Sequence, residues 1–204
     1  MDSPLMRFLT KIADLMVLNI LFCVTSIPLI TIGASWTALY SVTLKMVRDE
    51  EDSVSRSYFR SFRQNFRQAT LLWLGVLVVL ALLVLDIRVL NGMAEGTAPG
   101  LLRVGVEILA LLGIMVLQYL FPSLARFEAS LADTLKNACM MALAHLPKTA
   151  LMTAAAVGAV WITLINNTTI AVGLMVWPLI GFSLMAFGNS GILRRIFDNY
   201  VPKA

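Results

Sequence analysis

The sequence predicts an all-α, polytopic transmembrane bundle of about six spans, forming one integral membrane domain over residues 1–204. Three observations predict it. Between Lys148 and Arg194 no side chain is charged, and only Asn166-Asn167-Thr168-Thr169 interrupts the apolar run. Residues are 59% hydrophobic and 14% charged, with a mean hydropathy of +0.83, whereas soluble domains carry roughly 25% charged residues. Lys and Arg also lie beside apolar runs, as membrane anchors do. The net charge of +4 therefore points to a lipid surface, and nucleic acid is not an expected partner.

A span needs about 20 apolar residues, which sets the expected elements. Leu15 to Leu44 is uncharged, too long for one comfortable helix and short for two. Pro28 and Gly33 bracket its middle. Proline removes a backbone donor and glycine relaxes the chain, so this is either a kink in one helix or a hairpin of two, near 12–28 and 32–47. The third span lies near 68–87, and the fourth, near 103–123, carries Glu107 one turn from Arg103, an i,i+4 ion pair at the outer edge. The last two, near 149–166 and 170–187, fold back on the Asn-Asn-Thr-Thr turn.

Charge asymmetry fixes the orientation. With six spans and a cytoplasmic N-terminus, all sixteen Lys and Arg except Arg88 and Arg103 face the cytoplasm. With five spans Arg7 and Lys11 change sides and the asymmetry weakens. The positive-inside rule thus favours six spans with both termini cytoplasmic, and a re-entrant first hairpin satisfies the same count.

One segment outside the spans is patterned. Over 53–67 an amphipathic helix is expected, preceded by the acids Asp49, Glu50, Glu51 and Asp52 that favour a helix start. Arg56, Arg60, Arg63 and Arg67 recur at i, i+4, i+7 and i+11, which at 100° per residue places them within about 60° of one another. Tyr58, Phe59, Phe62 and Phe66 occupy much of the other side. The expected result is a helix lying in the interface, rings in the acyl boundary and guanidinium groups among phosphates. The same residues suit a docking surface for a partner. A weaker segment, 131–146, stands before the fifth span as this one stands before the third. With Pro28 closing the first span and Pro122 the fourth, the parallel suggests an internal duplication.

The runs Pro28-Leu29-Ile30-Thr31-Ile32-Gly33-Ala34, Ala38-Leu39-Tyr40 and Phe59-Arg60-Ser61-Phe62-Arg63-Gln64-Asn65-Phe66-Arg67-Gln68-Ala69-Thr70 resemble the YesL-like family of bacterial membrane proteins, a domain of unknown function. Phe121-Pro122-Ser123-Leu124-Ala125-Arg126-Phe127-Glu128, with Lys136-Asn137-Ala138, fits its second half. The resemblance implies a small protein of the bacterial cell membrane, found alongside carbohydrate importers of the ATP-binding-cassette type. It supplies no catalytic or binding residues.

Chemistry-bearing residues are sparse. His145 is the single histidine, and Cys23 and Cys139 sit far apart in apolar runs, so no metal site or cofactor is expected. Asn19, Thr25, Gln118 and Asn189 suit hydrogen bonds between helices. Ala154, Ala155, Gly158 and Ala159 allow close helix contact, within the chain or with a partner. The expected function is a non-enzymatic accessory subunit or scaffold of a carbohydrate importer, with membrane lipids and permease subunits as partners. An autonomous small transporter or channel is the alternative, and an enzyme is the least expected class.

Overall fold

A computed structural model describes residues 4–50, 53–92, 97–127 and 129–200. Glu51, Asp52 and Glu128 lie outside the described residues. The helices are α1 (Pro4–Thr25), α2 (Ile32–Val47), α3 (Val54–Gly92), α4 (Thr97–Arg126), α5 (Leu131–Ala144), α6 (Leu146–Leu164), α7 (Asn167–Val176) and α8 (Phe182–Phe197). A 3-10 turn, Leu29–Thr31, precedes α2, and a π turn, Trp177–Gly181, joins α7 to α8. The all-α expectation is met: every described element is helical.

Among the described residues, five helices are long and apolar enough to cross a membrane: Leu5–Thr25, Val54–Gly92, Gly100–Arg126, Leu146–Leu164 and Asn167–Phe197. The segment expected at 32–47 forms α2 with those bounds, but its sixteen residues reach only about 24 Å at 1.5 Å per residue, short of a roughly 30 Å hydrocarbon core. Eleven of the sixteen are buried. This helix is largely enclosed by the rest of the protein.

Between Pro28 and Gly33 the chain makes a hairpin. Proline at 28 is extended (φ −74°, ψ 117°) and starts the turn. Thr31 Oγ1 donates to the Thr25 and Pro28 carbonyls at 2.5 and 2.7 Å, satisfying one acceptor left by the end of α1 and one in the turn. Lys11 meets Asp49 at 2.7 Å, which ties the first half of α1 to the far end of α2, so the two helices run antiparallel. Gly33 lies inside the first turn of α2 and is required for space, not for backbone freedom. A Cβ there would stand 2.5 Å from the Ala69 carbonyl oxygen and 2.6 Å from Trp73 Cβ.

Alongside α2, α8 runs parallel. Thr43 Oγ1 and Ser190 Oγ are 2.8 Å apart, Arg194 Nη1 donates to the Val47 carbonyl at 2.8 Å, and Arg48 pairs with Asp198. The π turn is clamped by α1. Asn19, fully buried, donates to the carbonyls of Trp177 and Pro178 at 2.9 and 2.6 Å and accepts from Ser183 N at 2.9 Å. Proline at 178 has no N–H to give the ladder, and Asn19 supplies both a donor and an acceptor at this irregular stretch. Sequence spacing does not reveal this role, because it depends on two segments about 160 residues apart.

The expected Asn166 turn is present as a capping box: Asn166 Oδ1 accepts from Thr169 N, and Thr169 Oγ1 accepts from Asn166 N. Two expectations are corrected. Arg103 donates to Asn91 across the α3–α4 junction, and no salt bridge joins it to Glu107 among the described residues. Pro122 sits inside α4, which continues to Arg126, whereas Pro28 lies between helices. With most of α2 buried and α5 buried on one face only, the two halves are not built alike at these positions.

Candidate functional site

The patterned segment 53–67 and the span 68–87 are one uninterrupted helix. α3 runs for 39 residues without proline, about 58 Å. Its second half faces outward, with Leu71, Leu74, Val78, Val79, Leu82 and Leu85 exposed. Its first half packs on the core through Val54, Ser57, Tyr58, Ser61 and Ala69.

Helical angles explain how the aromatic residues divide. Taking 100° per residue, Tyr58 and Phe62 fall about 160° and 120° from Arg56, whereas Phe59 and Phe66 fall only about 60–80° from it. Tyr58 is therefore buried in the protein, not in the acyl boundary. Its hydroxyl lies 2.6 Å from Thr25 Oγ1, which is 2.9 Å from Ser35 Oγ. Phe62 stacks on Tyr58 with centroids 6.3 Å apart and packs against the core. Phe59 and Phe66 stay outside, at 50% and 39% exposure. With Phe62 and Arg63 they line a shallow groove of about 410 Å³.

Arg56, Arg60, Arg63 and Arg67 are all exposed on one stripe. None forms a salt bridge among the described residues, where the ion pairs are Lys11–Asp49, Arg48–Asp198 and Arg194–Asp198. On the stripe's other flank a polar groove of about 640 Å³ separates α3 from the α4–α5 junction, lined by Gln64, Asn65, Gln68, Arg126 and Ser130 among others. Gln68 Nε2 closes its floor by donating to the Ala129 carbonyl at 2.6 Å. Ser130 caps α5 by accepting from Asp133 N. The structure thus brings four arginines, two aromatic rings and an amide-lined groove onto one surface.

Pro28 and Gly33 lie at the opposite side of α3 from the arginines, against Trp73. Trp73 Nε1 donates to the Leu29 carbonyl at 2.7 Å, and Phe121 closes over Gly33. This is a packed joint. A second polar set, missed as a unit in the sequence, joins Asn189 to the Tyr40 hydroxyl at 3.4 Å and to Gln118 Oε1 at 3.5 Å. Three helices supply it, so no local spacing could have shown it. His145 ends α5, 3.3 Å from the Tyr200 hydroxyl. No group of three or more His, Cys, Asp or Glu residues able to hold a metal occurs among the described residues. Outside the spans, the Lys11 ammonium beside Asp49 holds its carboxyl below the usual carboxylate range.

Residues 15–87 match the family described as "Protein of unknown function, DUF624". The chain is similar to "Uncharacterized protein YesL" of Bacillus subtilis (strain 168), at 28% identity over 159 residues, covering 78% of this chain and 74% of that one. The match to the family takes in the Pro28 hairpin, α2 and most of α3. No solved structure matches the chain.

Proposed function

Taking as premise that the chain is a helical membrane protein resembling the YesL-like family, we propose that it is a non-enzymatic accessory subunit or scaffold of a membrane transport assembly, with a carbohydrate importer as the expected host. It would lie in a bacterial cell membrane with both termini cytoplasmic, as the charge asymmetry favours. The observation that carries the reading is the closed Pro28–Gly33 joint. A chain that moved solutes by itself would be expected to open near such a break in its helices. Here the first turn of α2 touches the α3 backbone so closely that not even a methyl group fits, and Thr25, Thr31, Ser35, Tyr58 and Trp73 are tied across it. Much of the apolar area of α3, α4, α6 and α7 is exposed instead, available to lipid and to neighbouring helices.

The Tyr40–Asn189–Gln118 set favours the second reading, an autonomous transporter, because polar groups at membrane depth often line a path. Affinity purification of the tagged chain from native membranes, with quantitative mass spectrometry, separates the two. Stoichiometric recovery of permease or ATPase subunits is the expected result. Recovery of the chain alone, while other membrane complexes stay intact, refutes the accessory role.

A further inference from the structure

We propose that the arginine face of α3 stands clear of the bilayer and binds an acidic helical segment of a partner protein, rather than lying on lipid headgroups. This deepens the accessory-subunit reading and rests on it for the existence of a partner. The argument begins with the continuity of α3. An interfacial helix must lie along the membrane plane, and a helix that also spans must bend sharply where the two parts meet. Sharp bends occur at proline, π-bulges or inserted groups. α3 is α-helical throughout Val54–Gly92 and contains no proline.

Length then fixes its tilt and reach. From Arg67 to Asp86 the helix carries no charge. Nineteen steps at 1.5 Å make about 28 Å, which matches a roughly 30 Å hydrocarbon core only if the helix stands nearly upright. Arg67 then marks the membrane edge. Arg56 lies eleven residues further, about 16 Å along the axis, whereas the headgroup layer on each side is only about 5–8 Å deep. Arg67 and Arg63 can reach phosphates, but Arg56 and Arg60 stand in water.

Charge and shape name the occupant. Four guanidinium groups that form no salt bridge among the described residues line one stripe, and Phe59 and Phe66 border it around the groove they share with Arg63. Arginine beside exposed aromatic rings is the composition of binding hot spots between proteins. The complementary ligand is a helix with carboxylates at i, i+4, i+7 and i+11, flanked by two large apolar side chains that enter beside Phe59 and Phe66.

Two readouts test this. In the full chain with Cys23→Ser and Cys139→Ser, spin labels are placed through Arg56→Cys or Arg67→Cys and their depth is measured in vesicles of phosphatidylcholine and phosphatidylglycerol. The expected result is a label at 67 at the bilayer edge and a label at 56 about 16 Å further out, exposed to aqueous relaxant. Equal depths at the headgroup level overturn the proposal in favour of a lipid anchor. The second readout is fluorescence anisotropy of a synthetic helix carrying Glu at the four stated positions and two Leu anchors. Binding to the wild-type chain should weaken at least tenfold on raising salt from low to high ionic strength, and also in the Arg56, Arg60, Arg63, Arg67→Gln variant. No binding, binding indifferent to salt, or displacement by phosphatidylglycerol vesicles refutes it. Such a failure leaves the accessory role standing if native subunits still copurify, whereas peptide binding without native subunits would remove that role alone.

Discussion

Adding one methyl group at Gly33 is the sharpest test of how this protein is assembled. Ordinary contact begins near 3.4 Å, so a Cβ at 2.5 Å from the Ala69 oxygen falls about 0.9 Å short. The obstructing atom belongs to the backbone of α3 and cannot rotate away. Trp73 Cβ at 2.6 Å blocks a second direction. Overpacking of this kind costs about 1–3 kcal/mol, and backbone obstruction puts Gly33→Ala at the upper end. Replacing glycine by alanine within a helix returns about 1 kcal/mol, leaving a net destabilisation of about 2 kcal/mol. Gly75 is the internal control. It lies exposed on α3, where an added Cβ meets nothing within 4 Å, so Gly75→Ala should stabilise by about 1 kcal/mol. The two variants should differ by about 3 kcal/mol. At roughly 2–4 °C per kcal/mol for a chain of this size, that is a separation of roughly 6–12 °C in Tm. Thermal unfolding in one detergent, followed by tryptophan fluorescence, reads it directly, since Trp73 is at the contact. Equal melting of the two variants, or Gly33→Ala melting higher, refutes the close approach of α2 to α3 and with it the closed joint behind the proposed function.

Asn19→Leu should destabilise by about 2–4 kcal/mol, because it strands the Ser183 N–H and removes the donor to two carbonyls; a melting temperature within error of wild type would show that the π turn holds itself. Tyr58→Phe keeps the ring between α1 and α3 and loses only the hydroxyl's contacts with Thr25 and Ser35, so a drop of about 1 kcal/mol is expected, visible as a small shift in the same assay. The Asp49 carboxyl is held low by Lys11. Its pairing is therefore fully present above the ordinary carboxylate range near pH 4 and is lost as pH falls through the lower folded value. Asp49→Asn should abolish that acid-side dependence of proteolysis at the α2–α3 connection, and an unchanged profile would assign it to other groups.

Local chemistry carries much of the architecture. The uncharged stretch after Lys148, split by Asn166-Asn167-Thr168-Thr169, sufficed to place a helical hairpin, since the cap that starts α7 comes from Asn166 and Thr169 within one turn. The bounds of α2 follow from Pro28 and Lys45 in the same way. Apolar composition set the membrane class, because no soluble core can bury that much apolar surface, and 100° periodicity set the arginine stripe.

What the sequence could not decide is which apolar face meets protein and which meets lipid, because both environments select the same residues. A helical wheel sets Tyr58 and Phe62 further from the arginines than Phe59 and Phe66, but only contact with the rest of the chain shows that Tyr58 is fully buried and Phe62 partly so. Gly33 resembles a flexible joint until α3 is laid against it. Asn19 has no meaning without Pro178 about 160 residues away. The sequence alone determined that this chain is a helical membrane protein with a basic stripe. The tertiary structure decided that α2 is a buried core helix, that the hairpin is shut, and that the stripe continues a span, because those outcomes depend on distances between segments that no local pattern encodes.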